Sequence, residues 1–126
     1  MKIIQTANAA RPAGHYAQAV RHGDTLYISG QLPVSPDGQH NLSASFAEQA
    51  RITLNNLLEI LKAAGAAPED LVKVTVYVAG VEHWPAFDSV YAAALGDHRP
   101  ARAVVPVPEL HHGYLVEIEA VARYLA

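Results

Sequence analysis

The chain contains no cysteine, so disulfides, zinc–thiolate sites and thiol nucleophiles are excluded across its 126 residues. No apolar run approaches the roughly 20 residues that a membrane helix requires. The opening Met1-Lys-Ile-Ile-Gln-Thr6 turns polar after two apolar residues, where a secretory signal would stay hydrophobic. A cytoplasmic protein without a membrane partner is the expectation. Positive charge is sparse, with nine Lys+Arg against twelve Asp+Glu and a formal net charge of −3. Its basic residues are scattered singly, a poor electrostatic footprint for nucleic acid. No Gly-x-Ser-x-Gly elbow surrounds Ser29, and neither a phosphate-cradling glycine loop nor a dinucleotide fingerprint occurs. There are seven histidines, but none in a His-Glu-x-x-His pattern. Adjacent His111 and His112 would point in opposite directions on an extended segment, so a structural or solvent-exposed role is expected over metal ligation.

What is present is the composition of a folded protein, 51% hydrophobic and 17% charged, at a length suited to one core. A single domain over residues 1–126 is expected. Residues 2–5 suit a short strand and Asn8–Gly14 a loop. His15–His22 and Thr25–Gly30, separated by His22-Gly-Asp24, suggest a hairpin. Ser35-Pro-Asp-Gly38 has the residues of a type I turn. Ser45-Phe-Ala-Glu48 has the spacing of a capping box, in which the serine and the glutamate each satisfy a backbone donor. Ala50, Leu54, Leu57, Leu58 and Leu61 then recur on one helical face before Gly65.

Pro68-Glu-Asp70 reads as a turn, and Leu71–Val78 alternates as a strand. Val72, Val74, Val76 and Val78 fall to one side, with Lys73, Thr75 and Tyr77 to the other. Pro85 suits the first turn of a second helix carrying Phe87, Val90, Tyr91, Ala94 and Leu95 on one face before Gly96. Ala101–Val107 is a further strand whose Pro106 argues against a central position at that end. Leu110–Gly113 is a loop, and in the last strand Val116, Ile118, Ala120 and Ala122 alternate with Glu117, Glu119, Val121 and Arg123. This order predicts an α+β domain in which two helices cover one face of a mixed β-sheet. The opposite face, with Thr75, Tyr77, Glu117 and Glu119, is left to solvent or to a subunit interface.

Arg102 sits among Ala101, Ala103, Val104 and Val105, and arginine is almost never buried alone. Its planar fork matches a carboxylate, with roughly 1.5–3 kcal/mol for each charge-assisted bond. Arg102 with Glu117 or Glu119 therefore forms either an internal ion pair or a site for a small organic acid. Tyr16 and Ser29 are equally ambiguous, because a strand tyrosine more often packs than does chemistry and a serine before glycine is more often a turn residue than a catalytic one.

Six segments occur in one order: Gly14-His-Tyr-Ala-Gln-Ala-Val20, Tyr27-Ile-Ser-Gly-Gln-Leu-Pro33, Gln49-Ala-Arg51 with the leucine-rich helix, Val72-Lys-Val-Thr-Val-Tyr-Val78, Arg99-Pro-Ala-Arg-Ala-Val104 and Val116-Glu-Ile-Glu-Ala-Val-Ala122. Over nearly its whole length the chain resembles the Rid family, the YjgF-like reactive intermediate deaminases. The resemblance implies a chorismate-mutase-like fold and a homotrimer with a cleft at each subunit boundary. It also implies hydrolysis of enamine and imine intermediates, such as 2-aminoacrylate and 2-iminopropanoate, to 2-oxo acids and ammonia with no cofactor. Arg102 falls on the family's substrate-carboxylate arginine and Glu119 on the glutamate associated with the hydrolytic water. Tyr16, Ser29 and Gly30 fall on the pocket lining, with backbone groups near Val104 beside the substrate. Some relatives of this kind have been labelled endoribonucleases or translation inhibitors, a role that the acidic balance disfavours. Non-catalytic binding of a small carboxylate is the other alternative. The chain departs from the family pattern at His15, where proline is frequent, at Val104, where cysteine is frequent, and at Asp88, where asparagine is common.

Overall fold

The computed structural model describes residues 1–125. Six strands, β1 (Lys2–Ile4), β2 (Ala19–His22), β3 (Thr25–Gln31), β4 (Leu71–Val78), β5 (Ala101–Pro106) and β6 (Val116–Arg123), form one sheet in the order β1-β2-β3-β6-β4-β5. Every neighbouring pair is antiparallel except β4 and β5, which run parallel. The helix α2 (Trp84–Leu95) makes the crossover that a parallel pair requires. With α1 (Phe46–Ala63) it covers one face of the sheet, as the sequence pattern predicts.

The core lies between that face and the helices. Leu54, Leu57, Ile60 and Leu61 of α1 and Phe87, Tyr91 and Leu95 of α2 pack on Val74, Val76 and Val78 and on Val116, Ile118, Ala120 and Ala122. Each fully buried large aliphatic side chain contributes about 1.5–3 kcal/mol. At the start of α1 the Ser45 hydroxyl accepts the Glu48 amide at 3.2 Å. Only this half of the expected capping box forms among the described residues, because the Glu48 carboxylate turns toward Arg51, 3.7 Å away. The helix closes with Gly65 at φ +85°, which lets the Gly65 and Ala66 amides reach the Lys62 and Leu61 carbonyls.

Two strands depart from simple alternation. In β4 the register shifts between Leu71, opposite Ala122, and Lys73, opposite Val121. This bulge places Leu71 and Val74 inward and leaves Val72 51% exposed, so the predicted four-valine face begins only at Val74. The strand predicted from His15 forms only from Ala19. Before it, the buried Gln18 amide is spent on the N-terminal loop, accepting from the Thr6 amide at 2.8 Å and donating to the Thr6 and Ala10 carbonyls. The sheet edge at β5 ends on Pro106, in keeping with its non-central place. No helix among the described residues is long and apolar enough to cross a membrane.

Candidate active site

A cleft of about 640 Å³ opens on the helix-free side of the sheet, walled by the N-terminal loop, β3 and β6. Strict alternation in β6 buries Val116, Ile118 and Ala120 and turns Glu117 and Glu119 to the opposite face. There they stand opposite Tyr77 and Thr75 of β4. The Tyr77 hydroxyl donates to Glu119 Oε1 at 2.7 Å. That bond, ahead of burial, holds the Tyr77 phenol above its ordinary pKa, since ionising it would set two anions together.

Glu117 is held differently. Its carboxyl folds over Gly30, where a second register shift interrupts the pairing of β3 with β6 between Ile28 and Gln31. A β-carbon at residue 30 would stand 2.8 Å from Glu117 Oε2 and 3.1 Å from its carboxyl carbon. The absence of a side chain at Gly30 makes room for this close approach. Burial, and then the neighbouring Glu119 charge, push the Glu117 carboxyl above the ordinary range, while His111 pulls it down. Ser29 lines the same cleft, but its hydroxyl donates to the Ala17 carbonyl at 2.6 Å and so ties β3 to the loop. Tyr16, half exposed, covers the other wall.

Of the predicted site residues, Tyr16, Ser29, Gly30 and Glu119 thus share one cleft, and Arg102 and Val104 do not. Arg102 lies opposite Val74 and Val104 opposite Val76, so both side chains belong to the helix-covered side, with β4 between them and the glutamates. Neither form of the expected Arg102 pairing with Glu117 or Glu119 occurs within the chain. Its partner is Asp88 of α2, whose Oδ1 is 2.7 Å from Arg102 Nη1. The guanidinium also stands 5.0 Å from the centre of the Tyr91 ring. With Asp88 57% and Arg102 23% exposed at the side chain, the pair is worth no more than about 1 kcal/mol. A second cleft of about 350 Å³ runs beside it, lined by Asp88, Tyr91, His98, Arg99 and Arg102.

Sequence reasoning also missed a group of imidazoles on the rim of the larger cleft. His112 has φ +64°, a left-handed turn rather than extended backbone. That reverses the expected divergence of the two neighbours, whose rings stack at 3.8 Å between centroids. His40 lies 4.6 Å from His112 and shares a 2.6 Å hydrogen bond with the buried Tyr114 hydroxyl. The only hint was the glycine that follows, a frequent companion of tight turns.

The family model described as Endoribonuclease L-PSP matches residues 6–124. The chain belongs to this family, the Rid or YjgF-like family. Among its relatives, a RutC family protein of Pyrococcus horikoshii is 39% identical over 121 residues, covering 96% of each chain. The human 2-iminobutanoate/2-iminopropanoate deaminase is 40% identical, over 96% of this Rid-family chain and 88% of its own. Among solved structures, E. coli TdcF with bound serine superposes with a TM-score of 0.93 at 34% identity, covering 99% of this chain and all of that one. The α+β fold with two helices on a six-stranded sheet is that of the family.

Proposed function

We propose that this Rid-family protein hydrolyses small 2-imino acids and their enamine tautomers to 2-oxo acids and ammonia. The observation that carries the reading is the cleft in which Glu117, lying over Gly30, and Glu119 stand together, with the Tyr77 hydroxyl the one hydrogen-bond partner of Glu119 among the described residues. A carboxylate that stands in water beside an electrophilic carbon can take a proton from an attacking water, which is worth about 10²–10⁴ in rate. The substrate's own carboxylate needs a cation, and Arg102 supplies it. Asp88 engages one terminal nitrogen, and among the described residues no other group takes the remaining donors of the guanidinium fork, which can meet a carboxylate as a bidentate pair. Binding there fixes the imine carbon and turns diffusion of a short-lived compound into positioned attack.

The two halves lie on opposite sides of one sheet, so a complete site needs Arg102 from one copy of the chain and the glutamates from another. The assembly proposed is a closed homotrimer with three equivalent clefts, using the helix-free sheet face as part of its interface. Relatives named as imine deaminases, at about 40% identity, support the reaction class. Serine bound to TdcF supports a guest bearing a carboxylate for that protein and, by likeness, for this one. Nucleic acid cleavage fits less well, because the larger cleft presents two carboxylates where a phosphate backbone would have to lie.

The test is Arg102→Ala assayed on 2-aminoacrylate generated in place. Loss of the rate enhancement with an unchanged sedimentation coefficient is expected. Undiminished catalysis would refute the assignment of Arg102. Saturable binding of a 2-oxo acid by a wild-type protein that releases ammonia no faster than buffer would favour a binding role instead.

A further inference from the structure

The two glutamates of the cleft are chemically unequal, and this inequality carries an assignment beyond the activation of water. We propose that Glu117 is the proton donor of the site, delivering its proton to the imine nitrogen while Glu119 takes one from the attacking water. This rests on the deaminase reading above and adds a second catalytic residue to it.

Three observations lead there. First, residues i and i+2 of one strand project from the same face, so Glu117 and Glu119 both stand on the helix-free side of β6 and line one cleft. Second, Glu119 is exposed and accepts the Tyr77 hydroxyl, a bond that only an acceptor oxygen can make. Third, Glu117 is half-buried against the Gly30 backbone and receives no hydrogen bond among the described residues. The groups that face it are Glu119 on its own strand, Tyr77 opposite on β4 and His111 from the following loop, while Arg11 and Tyr16 line the cleft from the N-terminal segment. β3 offers it only the uncharged Gly30. Burial and the adjacent anion both favour a carboxyl that keeps its proton, and only His111 opposes them. A half-buried carboxyl that favours its protonated form, set beside an exposed one that accepts a hydroxyl, is placed to act as the acid of the pair.

The step balances without any further reactant. Water oxygen bonds to the imine carbon as one of its protons passes to Glu119. The carbon–nitrogen π pair moves onto nitrogen, which takes the Glu117 proton, leaving a neutral carbinolamine. On collapse the carbinolamine hydroxyl returns a proton to Glu117, the carbon–nitrogen bond breaks, and Glu119 protonates the departing nitrogen as ammonia. Both carboxyls end as they began, with one water consumed. The half-buried position of Glu117 suits this role, because burial disfavours the charged form and so favours a carboxyl that holds its proton.

Two measurements on the full-length protein test the assignment. Carboxyl ¹³C NMR titration of glutamate-labelled wild type, with Glu117→Gln used to assign the resonance, is expected to show Glu117 titrating above free glutamate. Titration at or below the free value overturns the assignment, whatever the activity. In the second, ammonia release from freshly generated 2-aminoacrylate is followed across pH. Wild type is expected to give a bell, and Glu117→Gln to lose the alkaline limb with kcat down about 10²-fold and KM changed far less. A variant that keeps both limbs and the wild-type kcat overturns the acid assignment alone. A wild type with no acceleration at any pH overturns the deaminase reading itself, and this assignment with it.

Discussion

Replacing Gly30 by alanine isolates the contact on which the cleft is built. The new β-carbon would stand 2.8 Å from Glu117 Oε2, so the carboxyl must retreat by several tenths of an ångström to reach ordinary contact. Gly30 is not among the positive-φ glycines, so the backbone itself accepts alanine without strain. The cost falls on the Glu117 side chain, which can rotate toward the open cleft. A displaced rotamer costs about 0.5–1.5 kcal/mol, which for a domain of this size lowers Tm by roughly 2–7 °C. Because the clash is with Glu117 alone, Glu117→Ala should relieve it. Thermal or urea unfolding of wild type, Gly30→Ala, Glu117→Ala and the double variant is therefore expected to give a coupling energy of about 1 kcal/mol. The carboxyl that moves into water should also titrate nearer to free glutamate in Gly30→Ala. An additive cycle, with the Glu117 titration unmoved, would refute the close approach as the reason for glycine at this position.

Removing the α1 cap with Ser45→Ala is expected to cost about 1 kcal/mol, read as a lower urea midpoint with an unchanged m-value, since the Glu48 amide loses its acceptor. Asp70 is held below the ordinary aspartate range, first by the Ala67 amide and then by the Arg123 guanidinium. A depressed carboxyl adds stability above its unfolded pKa, near 3.9, and that stability is lost as pH falls toward the folded value. Asp70→Asn should therefore lower stability at neutral and alkaline pH and flatten the decline below about pH 4, as followed by urea unfolding across pH.

How far the sequence went can be judged residue by residue. The leucine spacing of α1, the Pro85 start of α2 and the alternation of β6 reappear in the structure because each is a local period matched to one buried face. Two helices on a mixed sheet follow from the order of those periods. Tyr16, Ser29, Gly30 and Glu119 were identified through family resemblance, and the structure brings them to one cleft. What failed to read was set by events that leave no periodic trace. The bulge at Leu71–Lys73 moved Val72 from the core face to the surface, and the left-handed turn at His112 stacked two rings that alternation would have parted.

The deepest gap concerns Arg102. Sequence alone determined that this cation needed an anion, because a guanidinium set among Ala101, Ala103 and Val104 cannot be left unpaired at the edge of a core. It could not determine which anion, since Glu117, Glu119 and a small acid from outside the chain all offer a carboxylate, and Asp88 was not among the candidates. Only the tertiary structure decided, by pairing β5 in parallel with β4 so that Arg102 falls opposite Val74 and shares its side of the sheet with α2 and Asp88. Sidedness is a property of register between strands distant in sequence, and no spacing along a single strand encodes it.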